Sequence, residues 1–189
     1  MGQRTAERLA RRFGAAVEWL PFDLHPEYPP EGIPRTELLL RYGVAFHENL
    51  ERWFERDGLV YNPPPDVVPN SRAALRLTEL ARAQGKHAAT HDRLMLAYWE
   101  QALNIGDPDV LRSLAAELGL DDADGAIEGD LYGSEVALAT TRAHDAGINA
   151  IPAFLLDRRL IVLGAQADEV FEQAFAQLGS PATEAPIVS

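Results

Sequence analysis

Five histidines and no cysteine set the chemistry open to these 189 residues. Without a thiol the chain holds no disulfide, no thiolate metal site and no cysteine nucleophile of its own. What remains is imidazole, carboxylate and aromatic chemistry. His87 and His91 stand four residues apart with Asp92 next to the second, a spacing that puts both imidazoles on one helical face, where a divalent cation can be held. A third and fourth ligand are not legible nearby, and Gly85 sets the predicted helix start near 88, so both are read as exposed surface histidines. His47 with Glu51 repeats the spacing and receives the same reading, and neither a metal site nor a cofactor is expected. His25, in "DLHPEYPPEG", either faces a cleft, where it contacts substrate or tunes a neighbouring group, or holds its own turn through hydrogen bonds. The second reading is preferred, and Asp23 and Glu27 are placed in the same solvated loop. Trp53, Phe54, Tyr98 and Trp99 either line an apolar substrate cleft or pack helix against helix; packing is preferred, except at Trp99, where the two readings balance.

Pro152 is the remaining candidate. It lies in "INAIPAFLLDRRLIVLGAQ", residues 148–166, at the lip of an apolar strand pair. Taken alone it reads as a trans proline on the first residue of a strand, where it removes no ladder bond, since about 95% of X–Pro bonds are trans.

Regular elements must position these residues. A helix is expected over 3–13, ended by Gly14, followed by a strand in "AAVEWLPF" and a Pro-rich loop that can neither continue a helix nor donate to a ladder. From about 36 to 147 the pattern is helical. Phe46, Leu50, Trp53 and Phe54 recur at helical spacing; "YNPPPDVVPN" is a second rigid loop, with Asn70 or Ser71 capping "SRAALRLTELARAQG"; a further helix covers 88–103. In "GDPDVLRSLAAELGL", Asp107 caps, Pro108 opens the first turn and Gly119 stops the helix. The acidic run "LDDADGAIEGD" reads as a solvated turn and helix start, and "YGSEVALATTRAHDAGI" as the last helix of the block. Two strands and the helix "ADEVFEQAFAQLG" close the pattern, and the tail "SPATEAPIVS" reads as loose. In the hairpin turn "DRRL", Arg158 stands where a tight hairpin wants positive φ, so a longer, looser turn is expected.

The sum is an α/β layer assembled from both ends of the chain, with an all-helical block inserted between them. The boundaries fall at 1–34 and 148–180 for the layer, 35–147 for the insertion and 181–189 for the tail. A net charge of −12 argues against a nucleic-acid partner. No apolar run approaches the roughly 20 residues of a membrane span, and the charged N-terminal stretch is not signal-like, so a cytoplasmic location and no membrane partner are expected.

In order along the chain, "FDLHPEYPPEG", the helical block and "AGINAIPAFLLDRRLIVLGAQ" resemble the FrnE-like branch of the DsbA family, thioredoxin-fold proteins with a helical insertion, from Gly2 to about Leu178. The resemblance implies that Pro152 is cis and that Ile151 before it offers backbone hydrogen bonds to an extended substrate segment. It implies protein or peptide thiols and disulfides as partners. It also implies a strand and a C-x-x-C motif just ahead of Met1 and Gly2, where a helix N-terminus would lower a thiol pKa and the thiolate would exchange through a mixed disulfide. No cysteine stands in this chain, so thiol–disulfide exchange is not expected of it as given. The expected function is therefore that of a DsbA-like oxidoreductase or isomerase family protein, inactive in this form. The alternatives are a glutathione-dependent isomerase or transferase of the same fold and a non-catalytic peptide-binding relative. In such a fold the first strand lies mid-sheet, between the strand in "VEWLPF" and the C-terminal hairpin. Its absence would leave costly unpaired edges. A longer product, a strand from another chain (a homodimer included), the tail segment "APIVS", or a rearranged sheet would each resolve this.

Overall fold

The structure, a computed structural model, describes residues 2–62, 65–179 and 185–188; at 44–48 and 185–188 the description is of the backbone alone. The chain has a thioredoxin-like α/β fold with a helical insertion. It divides into two compact units, one made of residues 1–24 and 139–189, the other of 25–138.

The unit formed from the two chain ends is the α/β layer. Helix α1 (Gly2–Phe13) buries Thr5, Ala6 and Leu9 and carries Arg11 and Arg12 in its last turn, where cations meet the negative end of the helix dipole. Strand β1 (Val17–Leu20) follows it. At the far end come β4 (Ala153–Leu156), β5 (Leu160–Leu163), α9 (Asp168–Leu178) and β6 (Ala185–Val188). The sheet order is β1-β6-β4-β5, with β6 parallel to β1 and antiparallel to β4, and β4 antiparallel to β5. The C-terminal segment thus takes the mid-sheet position, as one of the resolutions above anticipates, and the tail is not loose over 185–188.

Two apolar clusters cover the faces of this sheet. Leu9, Phe154, Leu156, Phe171 and Phe175 form one, with α1 and α9 packed on it; Phe22, Ala143, Ile148 and Ala153 form the other. Arg8 and Arg12 of α1 reach Asp168 at 3.2 and 3.3 Å, and Arg12 also meets Glu172. These half-exposed pairs tie α1 to the N-terminal half of α9, each contributing about 0–1 kcal/mol.

The second unit contains β2 (Ile33–Pro34), α2 (Arg35–Tyr42), α3 (Val44–Arg56), β3 (Val67–Val68), α4 (Arg72–Ala83), α5 (His87–Trp99), α6 (Pro108–Glu117) and α7 (Ala123–Ile127). Helix α8 (Gly133–Asp145) begins in it and ends in the α/β layer. Its core gathers Leu77, Leu94, Leu111 and Leu114 from α4, α5 and α6. Arg76 is buried beside them and donates from Nε to the Ala126 carbonyl at 2.7 Å and from Nη2 to the Ile127 carbonyl at 3.0 Å. Those carbonyls end α7, so one guanidinium satisfies acceptors that the helix leaves open.

Several local expectations change here. The insertion is not wholly helical, because Ile33–Pro34 pairs antiparallel with Val67–Val68, joining the two Pro-rich loops. Arg35 fastens the same junction, donating from its amide to the Asp66 carbonyl and from its guanidinium to the Pro65 carbonyl. The division falls at 24/25 and 138/139, earlier than the expected 34/35 and 147/148. Loop 25–34 is held by the insertion, through Asn70 Nδ2 to the Tyr28 carbonyl at 2.7 Å and Arg72 Nη2 to the Pro26 carbonyl at 3.0 Å. The end of α8 packs Ala143 with Phe22 and Ile148 instead. Helix α5 stops at Trp99, short of 103, where the chain turns through Ala102 at φ 53°.

Candidate functional site

The Pro152 loop is assembled within the α/β layer. Gly147, at φ 82°, ends the run of α8, and Ile148 N–H returns to the Ala143 carbonyl at 2.9 Å. Ile148 is then fully buried against Phe22 and Ala153, which anchors the loop from below. Residues 149–151 are exposed, and Ile151 keeps 46% of its surface in solvent. The Ile151–Pro152 bond is cis. Beyond it Ala153 is buried and opens β4, and the Pro152 carbonyl accepts from Gly164 N–H at 2.7 Å, across the hairpin. An exposed apolar side chain is thus set at the start of a strand whose next residues are locked on both sides.

The first turn of α1 meets this loop. A Cβ built on Gly2 would lie 2.9 Å from Pro152 Cβ, so the proline ring rests on the glycine backbone. The first four N–H groups of a helix have no intrahelical partner, and the dipole makes that end positive. No acidic residue offsets it in the first turn of α1. Gly2 was legible in the sequence only through the family resemblance; its contact with Pro152 comes from folding, and Met1 lies outside the described residues. The arrangement suits an extended chain laid along Ile151 and Pro152 with an electron-rich group toward the helix end. The residue types here, Gly2, Gln3 and Thr5, supply no nucleophile: Thr5 is buried and its Oγ1 accepts from Arg8 Nη2 at 3.3 Å.

The other two site residues belong to the second unit. His25 Nδ1 lies 3.0 Å from Glu27 Oε1, its ring stacks on Tyr28 at 4.4 Å, and its carbonyl accepts from Tyr28 N–H. These contacts hold the turn. The Glu27 carboxyl is kept below its ordinary range by its own backbone N–H, then by His25. Tyr28 Oη is buried with no hydrogen-bond partner among the described residues, and burial pushes its pKa up. Trp99 packs against Phe54 at 4.9 Å and Tyr98 at 4.7 Å, edge-on to the latter, with Tyr61 beside Phe54 at 5.2 Å. Burial raises the Tyr98 pKa, and Arg35 works against that rise. Trp53 stays outside this cluster, with 41% exposure.

Asp23 departs from its expected solvated setting. It is buried at 6% exposure, and its N–H donates to Thr140 Oγ1 at 3.0 Å, so α8 captures the segment that follows β1. The histidine pair departs as well. Helix α5 begins at His87, and both rings are half-buried and parallel, 6.1 Å apart, with Arg82 Nη2 at 2.9 Å from His87 Nε2. Burial, then Arg82 and His91, push His87 down to about 4. A guanidinium on the ring nitrogen is the reverse of a cation site, and no metal-binding group of three ligands occurs among the described residues. The His47 side chain lies outside them.

A four-stranded sheet with helices on both faces and Pro152 against the first helix defines a thioredoxin-like protein. Residues 1–176 match the family model of the DSBA-like thioredoxin domain, and the chain belongs to that family. It is 29% identical over 180 residues to YwbO of Bacillus subtilis (strain 168), covering 93% of this chain and 88% of that one. A crystal structure of a probable DsbA oxidoreductase from Streptomyces coelicolor superposes with a TM-score of 0.83 at 29% identity, covering 96% of this chain and 85% of that one. A 2-hydroxychromene-2-carboxylate isomerase shares the fold, with a TM-score of 0.67 at 17% identity over 94% of this chain and 88% of that one. Among the described residues no helix is long and apolar enough to cross a membrane.

Proposed function

We propose that these residues form the docking half of a DsbA-like thiol–disulfide oxidoreductase or isomerase, binding an extended peptide along Ile151 and Pro152 beside the α1 N-terminus. The observation that carries this reading is the exposed Ile151 set before a proline that rests on Gly2. Main-chain bonds to the loop would supply affinity and the Ile151 side chain an apolar contact, as in strand addition. Exchange needs a thiolate, and with no cysteine in 189 residues this chain binds without exchanging.

Two measurements test the proposal together. A fluorescein-labelled extended peptide with a cysteine flanked by apolar residues should bind the chain, and Ile151→Asp should weaken it at least tenfold while leaving the melting temperature within about 2 °C, as expected for an exposed position. Insulin reduction with dithiothreitol should run at the uncatalysed rate. Equal binding by the Ile151→Asp variant would remove the docking role, and accelerated reduction would contradict the binding-only reading.

A further inference from the structure

Strand β5 is the outermost strand of its sheet, with β4 on one side and no strand on the other among the described residues. Gly164 N–H donates to the Pro152 carbonyl at 2.7 Å, and the register runs from Ala153↔Leu163 to Leu156↔Leu160. Bonded and unbonded pairs alternate along an antiparallel ladder, so the bonds to β4 fall on Val162 and Leu160. Ile161 and Leu163 therefore turn their N–H and C=O groups away from the sheet. The Leu163 carbonyl accepts from Gln166 Nε2 at 2.8 Å, a cap supplied by the chain itself. An edge with open backbone groups is a template for a further strand.

The surface beside that edge carries no charge. A shallow groove of about 370 Å³ runs between β5 and α9, and no charged side chain lines it. On its α9 wall, Val170, Gln173 and Gln177 stand at i, i+3 and i+7 and share one helical face. Val170 and Leu163 each keep 39% of their surface in solvent. The carboxylates of Asp168 and Glu172 turn instead to Arg8 and Arg12 of α1. A chain of net charge −12 repels its own copies over most of its surface, and this face is one that does not. Its amides both donate and accept, so Gln173 and Gln177 suit an identical surface. Charge returns only at the two ends of the edge. Arg158 and Arg159 precede β5, whereas Asp168 and Glu169 open α9 beyond it. Arg158 is exposed and pairs with no carboxylate among the described residues.

We propose that the β5 edge and the uncharged face of α9 form an interaction surface for a second copy of this chain, the two β5 strands pairing antiparallel about a twofold axis at Val162. In that register Ile161 lies opposite Leu163 of the second copy, and each pair exchanges two bonds through the outward groups. The incoming Ile161 N–H takes the carbonyl that Gln166 caps in the single chain. The axis stands perpendicular to the sheet, so both α9 helices lie on one face and bring their glutamines together. The arginine turn of each copy then meets the acidic start of α9 in the other. A parallel alignment would set arginine against arginine. A twofold contact uses the same patch on both copies and closes on itself, so assembly stops at the dimer.

Sedimentation equilibrium of the full chain, with no peptide present, should show a dimer in the micromolar range. Gln173 and Gln177 are exposed, and changing both to Glu should raise the dissociation constant at least tenfold. Changing both to Lys should weaken the dimer as well, although it lowers the net charge, and mixing the two variants should restore it. Val162→Cys reports the register. Unbonded antiparallel partners have Cα atoms about 4.5 Å apart, within disulfide reach, and the chain has no cysteine to compete. Oxidation with diamide should link this variant into a covalent dimer at least tenfold faster than Arg11→Cys, an exposed control on α1. A monomer throughout the micromolar range, or a dimer indifferent to the glutamate pair, overturns the proposal. Absent cross-linking in a folded Val162→Cys variant overturns the pairing about Val162. If that variant does not fold, the mixing of the Glu and Lys variants decides. No peptide enters these measurements, so they stand apart from the Ile151 docking test.

Discussion

Gly2 shows how one residue type sets a site. The Pro152 ring lies where its side chain would begin, at 2.9 Å, and a pyrrolidine ring cannot swing aside as a long side chain can. Gly2→Ala therefore forces the helix end and the loop apart; it should cost about 1–3 kcal/mol, in the range of overpacked cores, and urea unfolding of the variant against the unaltered chain measures it. No loss would mean that the two segments part freely. His87 sets a pH dependence in the same way. Its folded pKa of about 4 lies below the ordinary 6.5, because burial and the neighbouring Arg82 disfavour the cation. The unfolded chain then takes up a proton that the folded chain refuses. The stability His87 contributes is whole above about pH 6.5, falls as the pH drops, and is gone below about 4. His87→Gln should flatten the decline of the urea midpoint across that window, leaving the share due to His91, which burial shifts the same way. An unchanged slope would place the titrating group elsewhere.

At the scale of elements, the β4–β5 turn is where local chemistry and the fold pull apart. Leu156 pairs with Leu160 across three residues, and Arg159 N–H closes on the Leu156 carbonyl at 3.0 Å. Asp157 and Arg158 sit at φ 49° and 54°, so the turn is one residue longer than the shortest hairpin yet not loose, and Arg158 tolerates the left-handed region. That region costs an L-residue roughly 1–2 kcal/mol, part of which glycine returns as chain entropy. Arg158→Gly should therefore raise stability by about 0.5–1 kcal/mol, read as a higher melting temperature; a lower one would show the arginine side chain outweighing the strain. The same scale separates what was legible from what was not. Helix α6 could be read complete, since Asp107 Oδ1 accepts from Asp109 N–H at 2.8 Å, Pro108 opens the first turn and Gly119 follows the end. Its signals are all local. At α4 the N-cap position falls on Ser71, whose side chain makes no capping bond, and Asn70 one residue earlier accepts at Oδ1 from Arg72 N–H at 3.0 Å. The β2–β3 pair was not legible, because two-residue strands carry no period and their partners lie in separate loops. Nor was the burial of Asp23, whose captor Thr140 stands 117 residues away. At the candidate site, the loop around Pro152 announced itself as a motif, whereas its partner Gly2 is defined only by contact across the chain.

The whole molecule is one chain threaded through two units of unlike topology, and that difference governs how it forms. In the unit of residues 25–138 the core joins α4, α5, α6 and α7, consecutive helices, with the bond from Arg76 to Ile127 spanning 51 residues. The α/β layer brings α1 and β1 to β4, β5, α9 and β6 only after the entire intervening unit has been spanned, with Leu9 of α1 meeting Phe154 and Phe171 in one cluster. Closing that separation carries an entropic cost before any contact repays it, and chains dominated by distant pairings fold more slowly than those built from local helices. Mid-sheet, β6 comes last in sequence and pairs with both β1 and β4, so the sheet is completed only when the two chain ends have met. Refolding followed by pulsed amide exchange should therefore show α4, α5 and α6 protected before β1 and β4, with β1 and β4 gaining protection together. Simultaneous protection of all five elements would mean that the layer nucleates alongside the insertion. Protection of β4 ahead of β1 would mean that the β4–β5 hairpin forms without waiting for the strand between β1 and β4.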